Sequence, residues 1–169
     1  EPSKMHETIN HNGVTSILPL SDSIVAIGTY GGGLNLFNPD TGRFAYVRHS
    51  AGHTHSLSDD RVITLLRKDE RSLWVGTQNG LNLVDLNSSR VNRYMESDSS
   101  GDYEGSSVIL SLMKDELGTL WIGTRSSGIY KWSHTNLTKQ TAQFEPPDAN
   151  SRLPSADIYG LVQDGTSAV

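Results

Sequence analysis

One segment of the chain recurs every 47 or 48 residues, and this recurrence constrains the fold more than any other feature. Trp74 and Trp121, each followed by an apolar residue, Gly and Thr, lie 47 residues apart. A weaker third copy ends in Ala26-Ile27-Gly28-Thr29, whose glycine precedes Gly76 by 48 residues. Self-similarity at one period indicates a repeat architecture, in which each unit buries its apolar surface against the next.

Short apolar segments flank each copy and are separated by turn-forming residues. In the second unit, Ile63-Thr64-Leu65-Leu66 precedes the tryptophan segment, and Gly80-Leu81-Asn82-Leu83-Val84 and Val91-Asn92-Arg93-Tyr94 follow it. Short apolar runs bounded by Gly, Asn, Asp and Ser predict antiparallel strands joined by tight turns. Four such strands in a period of about 40–50 residues are typical of a β-propeller blade. We therefore predict an all-β fold of four-stranded antiparallel propeller blades, present as a partial ring or fragment.

The repeat divides the chain into three complete units and the start of a fourth. The predicted division is 1–13 as an N-terminal strand or linker, 14–61 as blade 1, 62–107 as blade 2, 108–157 as blade 3 and 158–169 as the start of a truncated blade 4, which opens with a strand at Ile158. A closed propeller has about four to eight blades. Uncovered blade faces and unpaired strand edges in water promote association. We therefore expect either a fragment of a longer propeller or self-association that completes the ring.

The tryptophan segment is apolar at successive positions, which predicts that both faces of its strand are covered. Side chains of Leu73-Trp74-Val75 point alternately to the two faces, and stacking of blades covers both. We expect the two tryptophans to fill the space between neighbouring blades, and Ala26, at the same position of the first unit, to leave a smaller contact. Gly76 and Gly123 follow, where the lack of a β-carbon lets the next backbone approach closely.

The composition excludes some classes of partner and site. The chain has 14 Lys and Arg against 19 Asp and Glu, a formal net charge of -5. It therefore lacks the basic surface that nucleic-acid phosphates require, and we expect no nucleic-acid partner. It contains no cysteine, which excludes disulfides and thiolate metal sites.

Two polar segments resemble metal-binding loops in composition only. His49, His53 and His55 lie in one segment, where imidazoles that converge would ligate zinc or copper, but no fourth ligand is evident. The second segment alternates oxygen ligands as calcium loops do but lacks the required glycine and bidentate glutamate; its residues are Asp98, Ser100, Asp102 and Glu104. A polar loop between blades is the favoured interpretation of both, and we predict no metal site.

No convergent set of catalytic residues can be identified in the sequence. Asp69 and Asp115 recur at the same place in successive units, which favours a role in a turn, since a ring holds them too far apart to act together. Gly31-Gly32-Gly33 lies between two predicted strands, and a hairpin turn accounts for it better than a phosphate-binding loop. We predict no catalytic residue, no cofactor and no enzyme activity for this segment.

Two of the copies resemble a known family, the two-component regulator propeller repeat. Asp69 through Leu81 and Asp115 through Ile129 match its pattern of Asp, a turn, Leu-Trp-Ile-Gly-Thr and then Gly with an apolar strand. The first copy, Leu20 through Leu34, departs from it by lacking both the Asp and the Trp. The linker Ser56 through Val62 is similar to the family's usual approach to the next blade.

The resemblance implies a role that the periodicity alone does not predict. Such repeats are typically the extracytoplasmic, periplasmic sensor part of bacterial membrane signalling proteins, whose outputs are histidine kinases, hybrid regulators or diguanylate cyclases. The resemblance implies that this segment binds a ligand or partner, which would be a small molecule such as a sugar or oligosaccharide, or a protein. The pattern positions are structural, so the resemblance assigns no ligand-binding residue.

Two alternatives remain open at the level of sequence. An enzyme propeller of the quinoprotein or polysaccharide lyase type is one, because Asn38-Pro39-Asp40-Thr41-Gly42-Arg43 is similar to the Asp-x-Thr-Gly turn of quinoprotein blades; the other units lack this spelling. A structural protein-interaction propeller of the WD-repeat or kelch type is the other. The Gly-His and Trp-Asp pairs of the first and the double glycine of the second do not recur here.

Overall fold

The computed structural model describes residues 5–94, 108–132 and 157–163, and these form antiparallel sheets. The first sheet contains, in spatial order, β1 (Val14–Ser21), β2 (Ile24–Thr29), β3 (Gly33–Asn38) and β4 (Arg43–Val47). The second contains β5 (Val62–Arg67), β6 (Ser72–Thr77), β7 (Gly80–Asp85) and β8 (Val91–Tyr94). The third contains β9 (Ile109–Lys114), β10 (Leu120–Thr124) and β11 (Ile129–Trp132). These described ranges hold no helix long and apolar enough to cross a membrane.

The predicted all-β fold is confirmed, since each predicted blade range holds one sheet whose strands follow one another in space as they do in sequence. Neighbouring strands connect through short turns fixed by side chains. The Asp85 carboxylate, for example, accepts hydrogen bonds from the backbone amides of Asn87 (3.1 Å) and Ser88 (2.7 Å). Gly31-Gly32-Gly33 joins β2 to β3, as predicted for a hairpin turn. The exact blade boundaries stay a prediction.

The start of the fourth unit differs from its prediction. Residues 157–163, where the sequence predicts a strand from Ile158, are not assigned to a strand. Ile158 nevertheless docks on blade 3: its amide donates to the carbonyl of Thr124 (3.1 Å), and its carbonyl accepts from the Ser111 hydroxyl (2.8 Å).

The first strands of successive sheets are neighbours, with β1 beside β5 and β5 beside β9. A side-chain hydrogen bond links the first two sheets, from the Thr15 hydroxyl to the carbonyl of Val62 (2.9 Å). The hydrogen bond from the Ser111 hydroxyl to the carbonyl of Ile158 repeats this link. In both bonds the donor and the acceptor lie 47 residues apart in sequence. The sheets therefore fan around an axis lined by their first strands, which is the arrangement of propeller blades.

Two apolar clusters fill the spaces between the blades. The cluster between blades 1 and 2 is aliphatic and includes Ala26 and Leu34 from blade 1 and Leu73 and Val75 from blade 2. The cluster between blades 2 and 3 contains three aromatic rings, which belong to Trp74, Tyr94 and Trp132. Their centroids are separated by 5.1–5.9 Å at tilted or edge-on angles, the geometry that aromatic pairs favour.

The repeated tryptophan position has three different environments. Trp74 fills the space between blades 2 and 3 and is 4% exposed, as predicted. Ala26 is fully buried in the aliphatic cluster, where no ring fills the corresponding space. Trp121 is half-buried, which departs from the prediction. Its neighbours Leu120 and Ile122 pack toward blade 2, so the Trp121 ring lies on the opposite face, toward the fourth unit.

Candidate functional site

The recurring aspartates have the turn role that the repeat predicts. Asp69 accepts a hydrogen bond from the backbone amide of Arg71 (2.9 Å), and Asp115 accepts one from the amide of Thr119 (2.8 Å). Asp115 also accepts from the indole Nε1 of Trp121 (2.8 Å). Burial raises the pKa of Asp115, but the hydrogen bonds from Trp121 and Thr119 outweigh it and hold the pKa below its usual value. Both carboxylates are therefore structural acceptors.

The three histidines do not converge on a common point. His49 Nδ1 lies 2.7 Å from the carbonyl of Leu57, His53 Nδ1 lies 3.0 Å from the Ser50 hydroxyl, and His55 Nδ1 lies 3.3 Å from the carbonyl of Val91. No group of three His, Asp or Glu side chains in the described ranges is arranged to hold a metal ion. The predicted acidic segment of Asp98, Ser100, Asp102 and Glu104 lies outside the described residues.

One surface is built from equivalent loops of all three blades, and we call it the loop face. It comprises the loops that follow β2, β6 and β10 and the segments that lead into the first strands, residues 10–13, 30–32, 58–61, 78–79, 125–127 and 157–159. A buried threonine supports each loop by donating to a glycine carbonyl. The pairs are Thr29 with Gly33 (3.0 Å), Thr77 with Gly80 (2.9 Å) and Thr124 with Gly128 (2.9 Å).

A buried asparagine holds the segment that enters each of the first two blades. Asn82 is fully buried and accepts from the amide of Ser58 (2.9 Å) while its Nδ2 donates to the Ser58 hydroxyl (2.9 Å). Asn35, also fully buried, accepts from the amide of Asn10 in the same way (3.2 Å). The segment that precedes blade 1 is therefore held in the same way as the linker between blades 1 and 2.

Tyr30, Gln78 and Arg125 occupy the same position on the loop face in blades 1, 2 and 3. Each directly follows its blade's buried threonine, and each backbone amide donates to the residue that precedes the first strand of its blade. These bonds run from Tyr30 to Gly13 (2.8 Å), from Gln78 to Arg61 (3.1 Å) and from Arg125 to Val108 (3.1 Å). The rigid sheets therefore fix the backbone beneath three side chains of different chemistry.

The side chains on the loop face are polar and aromatic. Tyr30 is 49% exposed, and its hydroxyl accepts from Gln78 Nε2 (2.7 Å) across the boundary between blades. Arg61 binds Asp59 through two nitrogens (2.9 and 2.7 Å). Burial raises the pKa of Asp59, but hydrogen bonds and the charge of Arg61 outweigh it and lower the pKa below its usual value. The surface offers an exposed ring beside amide, guanidinium and carboxylate groups, a combination suited to binding a polar ligand.

A recess, which we call the outer cleft, lies at the outer edge between blades 1 and 2. Its volume is about 280 Å³. It is lined by the end of β4, by the linker between the blades and by the turn between β7 and β8. It shares no lining residue with the loop face.

The repeat in this chain matches a known family model. The model of the two-component regulator propeller covers residues 102–126, which include the second Trp-Ile-Gly-Thr copy. One copy of the repeat in this chain is therefore similar to the two-component regulator propeller repeat. The match confirms the resemblance in the third unit, whose copy runs from Asp115 through Ile129.

Two of the proteins that are similar to this chain are much longer than it. A protein named histidine kinase P4, from Formosa agariphila, is 29% identical over 146 residues, which cover 85% of this chain and 10% of the relative. The solved extracellular domain of a putative hybrid two-component system from B. thetaiotaomicron is 22% identical with a TM-score of 0.64, covering 92% of this chain and 20% of that one. A computationally designed protein, Ika4, is 18% identical with a TM-score of 0.52, covering 79% and 76%. The two structures show a shared fold.

The loop-face residues were not identified from the sequence, although a signal for them exists. The glycine and threonine before Tyr30, Gln78 and Arg125 are the same in every copy, whereas the next residue differs each time. The constant glycine and threonine indicate that the backbone is the same in every blade, and the variable residue after them indicates a surface position whose side chain differs between blades. That contrast locates the loop face without coordinates.

Proposed function

We propose that this chain is part of the extracytoplasmic sensor region of a bacterial membrane signalling protein and that it binds its ligand at the loop face. The observation that carries the proposal is the row formed by Tyr30, Gln78 and Arg125, three exposed or partly exposed side chains on equivalent, rigidly held loops. The presence of the two-component regulator propeller repeat and the similarity to a protein named histidine kinase support the signalling role.

The compartment that fits this proposal is the periplasm. Support comes from solved domains of the same fold, which are described as extracellular parts of two-component or one-component systems. The output would be a histidine kinase, a hybrid regulator or a diguanylate cyclase elsewhere in the protein, which are the outputs that the similarity to the two-component regulator propeller implies. This segment would bind and transmit but not catalyse.

The proposed ligand class is a sugar or small oligosaccharide. An exposed tyrosine ring gives a flat apolar surface for a sugar ring. The amide of Gln78, which contacts Tyr30, and the guanidinium of Arg125 on the equivalent loop of blade 3 would supply hydrogen-bond donors for hydroxyl groups. Binding at loops from successive blades would change how those blades sit against one another, because a ligand shifts the population toward the arrangement that it contacts best.

The test is thermal unfolding of the chain against a broad oligosaccharide library. We expect at least one member to raise the Tm, since a ligand that binds only the folded state stabilises it. Tyr30→Ala removes the exposed ring and should abolish that rise. Leu117→Ala is the matched control, because Leu117 is 92% exposed on the β9–β10 turn, away from the loop face. No Tm change with any member, or an equal rise in Tyr30→Ala, would contradict the proposal.

We further propose that another blade of this repeat covers the free face of blade 1. Ile17 on β1 occupies the position of Leu65 on β5, since they pair with Ile27 and Val75 at matching places in their sheets. Leu65 packs in the cluster between blades 1 and 2 and is 8% exposed, whereas Ile17 is 63% exposed. The covering blade would come from a second copy of the chain or from further blades of a longer chain.

Sedimentation velocity tests this proposal on the chain alone. We expect concentration-dependent association, because the apolar face of blade 1 is open to water in the single chain, and we expect Ile17→Lys to shift the chain to a monomer. A stable, compact monomer of the unmodified chain at all concentrations would contradict it.

A further inference from the structure

The outer cleft is lined by two arginines on a chain whose net charge is -5. Its polar lining consists of Arg48, His55, Ser56, Ser88, Ser89 and Arg90. Two arginines and no carboxylate line the cleft. Its volume of about 280 Å³ is close to the lower end of the range for small-molecule sites, roughly 300–1000 Å³.

The side chain of Arg90 is oriented by His55. Nε2 of His55 lies 3.0 Å from Arg90 Nη2, and Nδ1 of His55 lies 3.3 Å from the carbonyl of Val91. A carbonyl oxygen only accepts, so Nδ1 is the donor in this pair, and Nε2 of the neutral ring accepts from Arg90. One N–H of Arg90 is used in this way, and a guanidinium has five. The histidine therefore positions the arginine while leaving donors for a ligand.

Arg48, the second arginine of the cleft, is oriented by Asp60. Arg48 Nη2 lies 2.9 Å from Asp60 Oδ2, and the other oxygen of Asp60 accepts from the backbone amide of His49 (2.6 Å). The side chain of Arg48 remains 54% exposed. The ion pair therefore fixes the direction of this guanidinium and leaves about half of its surface open.

The turn between β7 and β8 contributes a strained residue to the cleft. Ser89 has a φ of 55°, in the left-handed region that non-glycine residues seldom adopt. The preceding residues hold it there, since the amide and hydroxyl of Ser88 both bond to Asp85 Oδ1 (2.7 and 2.8 Å). Strain of this kind persists where the surrounding structure fixes it, and it is concentrated at ligand sites.

We propose that the outer cleft binds an oxyanion group, either a free anion or the charged group of a small ligand. Arg48 and Arg90 would bind its oxygens through charge-assisted hydrogen bonds, for which planar guanidinium groups are well matched to phosphate, sulfate and carboxylate. Ser89 would add a neutral donor. The cleft is a separate surface from the loop face, since no residue lines both, and the two are connected through the ion pair between Arg48 and Asp60.

Isothermal titration calorimetry of the whole chain tests the proposal with three probes at constant ionic strength: inorganic sulfate, inorganic phosphate and glucuronate. We expect heat of binding with at least one probe and none with chloride. A response to sulfate or phosphate alone identifies a tetrahedral anion, and a response to glucuronate alone identifies a carboxylate.

The variants locate the binding in the cleft. Arg90→Gln should weaken binding by about tenfold or more, the effect of losing charged hydrogen bonds. Arg48→Gln should also weaken it. Arg43→Gln is the matched control: Arg43 is an exposed arginine on β4 that pairs with Glu7 at 3.4 Å, outside the cleft, and binding should be unchanged. Circular dichroism verifies that the variants fold. Absence of binding by all three probes, or equal binding by folded Arg90→Gln, would overturn the proposal.

Discussion

Gly76 of β6 lies directly against Ile109, the first residue of β9 in the next blade. A β-carbon on Gly76 would come within 2.7 Å of Ile109 Cγ2 and within 2.6 Å of Thr64 Cγ2. The same relationship joins Gly28 to Val62, at 2.7 Å. In the first two copies the glycine is therefore the point at which one blade's second strand meets the next blade's first strand, and it fixes how closely the blades stack.

Gly76→Ala tests this contact. The added methyl group has no room, so the blades must separate locally or the Ile109 side chain must shift, and we expect a loss of about 1–3 kcal/mol in the free energy of unfolding. Gly160→Ala is the matched control, because no atom lies within 4 Å of its added β-carbon; its effect should stay within about 0.5 kcal/mol. Urea denaturation measures both. Equal stabilities of the two variants would contradict the close approach.

The two tryptophans of the repeat should differ in their contributions to stability. Trp74→Ala removes a ring that is 4% exposed and packs against Tyr94 and Trp132, so we expect a loss of about 3–5 kcal/mol. Trp121→Ala should cost less, because that ring is half-buried. Denaturant titration compares the two variants. A larger loss for Trp121→Ala would show that the two environments are assigned wrongly.

The sequence predicted the blades well because their structural residues repeat. The segment that contains Trp74 and Gly76 recurs around Gly123 with nearly the same residues. The repeated residues have related roles in the structure, so the periodicity of the sequence was sufficient to predict the blades. It was not sufficient for Trp121, whose burial depends on what covers its face of the sheet. The strand at Ile158 was likewise predicted from its apolar pattern, although strand formation requires a partner that the pattern does not supply.

Asn82 should be the most sensitive polar position of blade 2. Its side chain accepts from the amide of Ser58 and donates to the hydroxyl of this residue, which is 4% exposed. Asn82→Ala leaves the buried amide without its acceptor, while the hydroxyl keeps Thr77 as a partner, and should cost about 1–3 kcal/mol. Asn92→Ala on β8, at an exposed position, is the matched control and should stay within about 0.5 kcal/mol. Thermal or urea unfolding measures the difference. A neutral Asn82→Ala would show that the linker is not held by this side chain.

Asp115 should make stability dependent on pH. Its folded-state pKa is lowered, since the hydrogen bonds from Trp121 and Thr119 outweigh the effect of burial. A carboxylate of this kind stabilises the fold above its unfolded pKa of about 3.9, and the contribution is lost as the pH falls through the lower folded value. Urea denaturation between pH 7 and the acid limit should show this loss.

The matched pair for this pH dependence is Asp115→Asn and Asp22→Asn. Asp115→Asn removes the titrating group and should reduce the acid-dependent part of the stability change. Asp22 lies at an exposed position of the β1–β2 turn, so Asp22→Asn should follow the unmodified chain. Identical pH profiles for the unmodified chain and Asp115→Asn would contradict the role of this carboxylate.

The candidate site was less predictable than the blades. Asn35 and Asn82 recur within Gly-Leu-Asn-Leu, yet nothing in that spelling shows that they reach the linker segments at Asn10 and Ser58. Those segments share only an apolar-then-polar pattern, so their equivalence becomes visible through the hydrogen bonds. The outer cleft depends on contacts between a turn and a linker that lie about 35 residues apart in sequence, and no local pattern predicts such a contact.

Hydrogen–deuterium exchange, with and without the oligosaccharide that raises the Tm most, tests the loop face as the site of recognition most directly. We expect slower exchange at 30–32, 78–79 and 125–127 when that oligosaccharide is bound, with the turn at 88–90 unchanged. Slower exchange only at the outer edge of the blades, or no change at any loop, would contradict it.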